Sequence, residues 1–533
     1  MGALAETLRK NRTQLIILAI FLLLFLMAVR GMSTRDWVIT TLRGLSTGAV
    51  TFLAAAGLSL IFGLMDVLNL AHGAFFMIGA YVGWSAFVRP DTLVDIVTPL
   101  ALIGAGLALR PLWDSIVRLW PSSARIDRIW PWAVLALAGV VLFFSLSRTP
   151  LAMWNAEVFD DSPIIWTQHF ESGQTKELVQ PAGFKGILPL LGLGGLLVGG
   201  LLLALGLSGL AKQPGGTIGR SSGFVRGLAV HRSAIFYSLI LLVVGIISYA
   251  ANDTLTNFLF DLDSNLLFLL AVVVAVLAGA LLGSLMEATL VRPLYVRPFY
   301  QLMLTFGLGF IGTEAVRAIW GRTGFTMPRP ALFAGSGDGC PATSLGDWLK
   351  YKCSTLAITI GEETTRIRVY NEIFLILAGL VVLIVVWLLI QRTRLGMIIR
   401  AGVQDSEMVE ALGINVRRVF TLVFALGTGL AALGGVLSGP STGLSDAMGG
   451  NLLLGALIAL AIGGLTSFPG AAAGAVLVGL LQQFIIKYGQ IGINLPLFEE
   501  PFKPSPTLVP AASVLLMVII LLILPQGLFG RQD

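Results

Sequence analysis

The residues with chemistry to offer are few and scattered. His72, His169 and His231 stand far apart, and the only cysteines are Cys340 and Cys353, so no His/Cys group has metal-ligand spacing. No Ser/His/Asp arrangement or other catalytic constellation is visible. What does recur is a polar triplet, Asp66, Asn69 and His72, spaced every three residues in otherwise apolar sequence. That spacing predicts three residues near one helix face. Ionisable groups within apolar segments are costly and invite a functional reading. Two readings stand side by side. The triplet, with Gly73, lines or gates a translocation path, or it is a hydrogen-bond cluster that fixes a helix junction, with His72 donating to a backbone carbonyl. Gly73 and Gly79 allow close helix approach. Glu287 falls late in an apolar run. Glu314 and Arg317, three apart, predict a local ion pair whose guanidinium reaches an interface. Gly470 and Gly474 read as helix packing.

The elements that must position these residues are set by composition. Of 533 residues, 56% are hydrophobic and 12% charged, with mean hydropathy +0.88. A soluble domain carries about 25% charged residues. A chain this apolar takes lipid as its solvent, so the expected fold is all-α and polytopic. Apolar runs of about 20 residues predict about fourteen spans. They lie near 14–29, 38–62, 69–88, 92–109, 131–147, 187–210, 234–251, 265–290, 300–320, 372–391, 419–438, 447–464, 470–487 and 508–525. The turn Thr466–Gly470 also suits a re-entrant pair. Arg9, Lys10 and Arg12 precede the first run and Arg30 follows it, which favours an uncleaved first helix over a signal peptide. Two cysteines exclude a dense disulfide scaffold. The net charge of +6 is explained by basic cytoplasmic loops and calls for no nucleic acid.

Loop charge sets the expected orientation. Loop 211–233 holds Lys212, Arg220, Arg226 and Arg232 without an acid, whereas 252–264 holds Asp253, Asp261 and Asp263 without a base. Arg292 and Arg297 lie in 291–299, and Arg392, Arg394, Arg400, Arg417 and Arg418 in 392–418. This alternation places both termini in the cytoplasm. Arg30 and Arg35, with the base-free turn at Asp66, run against it for the first spans. Loop 321–371 falls outside by the same parity and is too polar to span. Its stretch Leu356–Val369 alternates as a small hairpin does, and Cys340 and Cys353 within it are a candidate disulfide, worth ~3 kcal/mol in the chain-entropy model.

One basic loop carries a short helix. In 404–418, Asp405 or Ser406 suits a cap, Glu407 and Glu410 suit the early turns, and Gly413 suits a left-handed stop. Met408 and Leu412, four apart, share a face with Ala411 beside them. Such a helix is either a plug for a partner's groove or an interfacial helix on the headgroups. No phosphate-binding Gly-x-x-x-x-Gly-Lys-Ser/Thr loop occurs, so this chain is expected to bind no cofactor itself.

Several segments, in order, resemble the branched-chain amino acid permease family of the LivH type. They are Asn69-Leu70-Ala71-His72-Gly73 with Met77-Ile78-Gly79-Ala80-Tyr81, Arg292-Pro293-Leu294, and Thr393-Arg394-Leu395-Gly396 through Gly413-Ile414-Asn415. The series ends with Gly463 through Gly470 and Pro525 through Gly530. Glu407 with Gly413 is similar to the coupling motif of importer permeases, with Met408 and Val409 in place of two alanines. The resemblance covers about 38–90 and 265–530. Residues 90–264 have no recognised counterpart and read as an insertion with about four extra spans. The expected organisation is therefore 1–89 and 265–533 as core, with 90–264 inserted. The resemblance implies an importer permease in the bacterial inner membrane that carries branched-chain amino acids, urea or short amides. It implies two ATPase subunits that use ATP and magnesium, a second related permease and an extracytoplasmic solute-binding protein as partners. Glu407, Met408, Glu410, Ala411, Leu412 and Gly413 would form the coupling loop. An ion-coupled secondary carrier, driven through intramembrane charges, is the competing expectation.

Overall fold

The computed structural model describes residues 32–120, 124–147, 163–175, 187–212, 224–360, 363–404, 406–493 and 500–529. The expected span 14–29 lies outside them. Among the described residues, eleven helices are long and apolar enough to cross a membrane, and His72–Val88 and Met448–Gly463 are shorter apolar helices. The expected number of fourteen is therefore not reached within these residues. The expected 92–109 span continues as Asp91–Leu119. Outward-facing leucines on Ser264–Met286, including Leu266, Leu269, Leu277, Leu281 and Leu285, are each more than half exposed. Such apolar surface is stable against lipid. The chain is a multi-pass membrane protein.

It divides into two compact units, Met1–Trp84 with Ser264–Asp533, and Ser85–Asp263. The first is built around the helix Thr34–Met65, which packs on Val416–Thr442, Met448–Gly463, Phe468–Ile491 and Leu375–Arg392. Ser33 starts that helix by accepting the Asp36 N–H at 3.2 Å. Lipid supplies no hydrophobic drive between helices, so association depends on close van der Waals packing of small residues. The core meets this demand directly. A Cβ at Gly435 would fall on the Phe76 carbonyl oxygen, and one at Gly474 on that of Ala459.

The loop between Pro298–Trp320 and Leu375–Arg392 forms a subdomain within this unit. The hairpin forms as Thr355–Ile360 paired antiparallel with Glu363–Arg368, in the register Thr355 to Arg368. Phe333 packs against Trp348, Tyr370 and Phe374. Cys340 and Cys353 are joined as a disulfide with their Cα atoms 5.5 Å apart. Backbone pairing of Phe325 with Leu444 and the Tyr370 hydroxyl donating to Leu437 O seat the subdomain on the chain around Val416–Thr442.

The second unit pairs Ala124–Leu146 with Ile187–Lys212, and Asp91–Ala108 with Phe224–Ala250. Two pairs of its buried polar groups bond each other. Arg89 bonds Asp91 at 2.8 Å beneath the Trp166 ring, and Asn252 donates to Asp95 at 2.8 Å.

The glycine contacts predict an asymmetry. Gly435→Ala forces backbone apart and costs roughly 1–3 kcal/mol. Gly307→Ala meets open space and, in a helix, is neutral or gains up to about 1 kcal/mol. Melting temperatures in detergent should fall for the first alone. Equal values would refute the packing argument.

Candidate functional site

The triplet does not share a helix face. Thr34–Met65 stops at Asp66, which adopts φ 53 and donates its N–H to Phe62 O at 2.9 Å. Helix resumes only at His72. The expectation of one continuous face fails because a left-handed cap ends the helix inside the triplet. Asp66 is exposed, whereas Asn69 and His72 are buried. Thus two of the three are brought together and the third is not.

The break lies beside the middle of a neighbouring helix. A Cβ at Gly309, halfway along Pro298–Trp320, would stand 3.6 Å from Ala71 Cα and Leu70 O. At that depth each open backbone group needs a partner. Asn69 Oδ1 accepts the Ala71 N–H at 3.1 Å, and its carbonyl accepts the His72 N–H at 3.2 Å. Thr305 Oγ1 accepts the Leu70 N–H at 3.2 Å. His72 Nε2 bonds Ala54 O at 3.0 Å, which ties the resumed helix back to the one before the break. Gly73 abuts Gly449, so the two short helices meet near their starts.

Among the described residues, Asn69 Nδ2 and His72 Nδ1 at this break lack a partner, as does Gln301 Nε2 on the neighbouring helix. Gln301 stands one turn before Thr305 on the same helix, and both are buried. Sequence reasoning missed these two. Their only signal was a Gln and a Thr four apart in an apolar span.

The basic loop holds two helices, Arg394–Gln404 and Ser406–Ala411. The first was not expected. Thr393 Oγ1 accepts the Gly396 N–H at 3.1 Å and starts it. The second ends in a double clip. The Gly413 N–H bonds Glu410 O at 2.9 Å, and the Ile414 N–H bonds Val409 O at 3.3 Å, with Gly413 at φ 84. Asn415 Oδ1 then accepts the Arg418 N–H at 3.2 Å and opens Val416–Thr442. Val409 points inward. Met408 is 62% and Leu412 74% exposed, with Glu410 and Ala411 also exposed. Asp405 and the side chains of Ser406 and Glu407 lie outside the described residues.

Glu287 is the least exposed charge among the described residues of this unit and was read only as a late-span acid. It is fully buried in a π-helical turn, Glu287–Val291. Arg292 donates to it from Nε at 3.1 Å and Nη2 at 2.7 Å, Tyr295 at 2.6 Å and Thr421 at 2.7 Å. Burial first, then the bond to Glu287, pushes the Tyr295 phenol up, so it stays a donor. Arg317 bonds Glu314 as expected, and also Asp446 at 2.8 Å. Among the described residues no group of three or more His, Cys, Asp or Glu could hold a metal ion.

A family model described as the branched-chain amino acid transport system permease component matches residues 40–141 and 186–525. The match thus extends over 90–141 and 186–264, which the motifs had left without a counterpart. The permease protein BraD of the high-affinity branched-chain amino acid system of Pseudomonas aeruginosa is 30% identical over 31% of this chain and 49% of its own length. LivH of the corresponding Escherichia coli system is 27% identical over 38% of this chain and 59% of its own length. The fructose import permease protein FruF of Bifidobacterium longum is 31% identical over 22% of this chain and 36% of its own length. The chain therefore spans about half to three fifths of the first of these curated relatives. No solved structure matches.

The break makes its own test. Thr305→Val keeps the side-chain shape but strands the half-buried Leu70 N–H, at a cost of roughly 1–3 kcal/mol. Thr305→Ser keeps the acceptor. The melting temperature should fall for the valine variant well below the serine variant, and coincident melting curves would discount the bond.

Proposed function

This chain belongs to the family of branched-chain amino acid transport system permease components, and from that premise we propose that it is the membrane permease subunit of an ATP-driven importer. Its cargo is a small polar solute, with branched-chain amino acids foremost and urea or short amides as the further class. The carrying observation is the clipped helix Ser406–Ala411, which is followed at once by the hydrogen-bonded turn 412–415 into Val416–Thr442 and shows Met408 and Leu412 to solvent. Exposed apolar residues on a short, rigidly stopped helix in a basic loop suit insertion into a partner's groove.

In this reading the basic loop and both termini face the cytoplasm of a bacterial inner membrane. Two ATPase subunits bind ATP and magnesium and receive the short helix. A second, related permease completes the membrane pair. The disulfide-closed subdomain faces outward, where an extracytoplasmic solute-binding protein delivers cargo. Closure of the ATPase pair displaces the short helix together with Val416–Thr442. The break at Asp66–Ala71, with Asn69, His72 and Gly73, lines the path whose access alternates. Cargo shifts that alternation only through its differential affinity for the two states.

ATP-dependent uptake of leucine into proteoliposomes holding the co-purified complex is the direct test, with urea as competitor. Leu412→Asp should abolish stable ATPase association while leaving the permease's melting temperature unchanged, since the side chain is exposed. Uptake that persists without any ATPase would instead make the protein a gradient-driven carrier.

A further inference from the structure

Resting on the importer reading, we propose that Asn69 and Gln301 form a subsite for the carboxylate of a small amino acid, placed at the helix break in the core unit. The two amides come from different elements that the fold holds together. Asn69 lies in the break itself. Gln301 precedes Thr305 by one turn on Pro298–Trp320, so both share the face that meets the break. The Leu70 N–H bonded to Thr305 Oγ1, with the same hydroxyl 3.5 Å from Leu68 O, shows where that face lands.

The chemistry of the open valences selects the ligand. Asn69 is fully buried and Gln301 is 4% exposed, yet Nδ2 of the first and Nε2 of the second have no partner among the described residues. The orientation of Asn69 is set, because its Oδ1 is occupied by the Ala71 N–H. What remains at Asn69 is an N–H donor, and Nε2 is the buried end of the Gln301 amide. An unsatisfied buried donor is costly in a native fold, and two beside one break call for an acceptor with more than one lone pair. A carboxylate supplies this and forms the stronger, charge-assisted bonds. The helix His72–Val88 begins at the same place, and its amino end carries partial positive charge, which favours an anion over a neutral carbonyl. Thr305 belongs to the scaffold here. Its hydroxyl is engaged with backbone and is not offered to cargo.

Gln301→Glu and Asn69→Asp keep size and shape while replacing the donor with a like-charged acceptor. The complex with its ATPase subunits, in nanodiscs and without binding protein, is titrated with radiolabelled leucine, and with leucinol, which lacks the carboxylate, as competitor. The wild type should prefer leucine to leucinol by about tenfold or more, as expected for charge-assisted bonds. Each variant should weaken leucine by a similar factor and leave leucinol within about twofold, so that the preference collapses. Wild type that binds both compounds equally, or variants that keep the full preference, overturns the subsite. Should neither variant accumulate, photoactivatable leucine on the wild-type complex decides. Labelling within 68–73 or 300–306 supports the subsite, and labelling confined elsewhere overturns it. Leucine uptake by the wild type without ATP fails the importer reading instead, and leaves the leucine-to-leucinol comparison valid.

Discussion

The absence of water in the bilayer core is the constraint on which this structure turns. A spanning helix satisfies its own backbone, and any interruption exposes N–H and C=O groups that lipid cannot answer. The core unit contains such an interruption, between Asp66 and His72, and every nearby polar choice can be read as a response to it. Asn69 closes one turn from its side chain and another from its carbonyl. Thr305 reaches across from another helix to take the Leu70 N–H. His72 returns to Ala54 and fastens the two helical halves. The hydrogen-bond cluster that one sequence reading anticipated is thus present as geometry. The polar path of the other reading is proposed for the same place, since irregular backbone at membrane depth persists only where protein or a cavity surrounds it.

The same lack of solvent decides how helices associate. Close approach depends on small residues that let backbones touch. The contact of Gly57 with Gly427 and the His72 ring shows the consequence. At that point the helix before the break, the helix after the basic loop and the imidazole share one small volume. A side chain larger than hydrogen there would separate the break from the helix that leads to it.

How much of this was legible follows from the range of each signal. Apolar run length is local, so the expected spans fall close to observed helices, from 38–62 within Thr34–Met65 to 508–525 near Pro506–Ile523. The stop at Gly413 is local too, and φ 84 fits it. The three-residue spacing of Asp66, Asn69 and His72 misled because spacing alone carries no record of a left-handed cap within it. Gln301, Thr305 and the Glu287 cluster were opaque for another reason. Their partners lie far along the chain, as with Thr305 and Leu70 or Glu287 and Thr421, and nothing in a local window reports such pairings. The helix Arg394–Gln404 was hidden by its charge, since arginines that mark a cytoplasmic loop also suit the polar face of a helix.

These pieces follow one another along a short stretch of chain. The short helix is clipped at Gly413, and Asn415 starts Val416–Thr442 two residues later. Thr421, in that helix's early turns, holds the Glu287 carboxylate, which Arg292 and Tyr295 also hold. Gly427 is six residues further, about 9 Å at 1.5 Å per residue, and it meets Gly57 beside His72. A displacement of the exposed face at Met408 and Leu412 therefore reaches the break through one short turn, 412–415, and a single helix. Glu287 anchors the same segment to the end of Ser264–Met286, so the two helices move together or their buried charge is left unpaired, which is strongly unfavourable. Contiguity of this kind becomes coupling when the linked element has two arrangements whose balance both ends bias. A helix crossing through glycines, held by one saturated carboxylate, has few intermediate positions open to it.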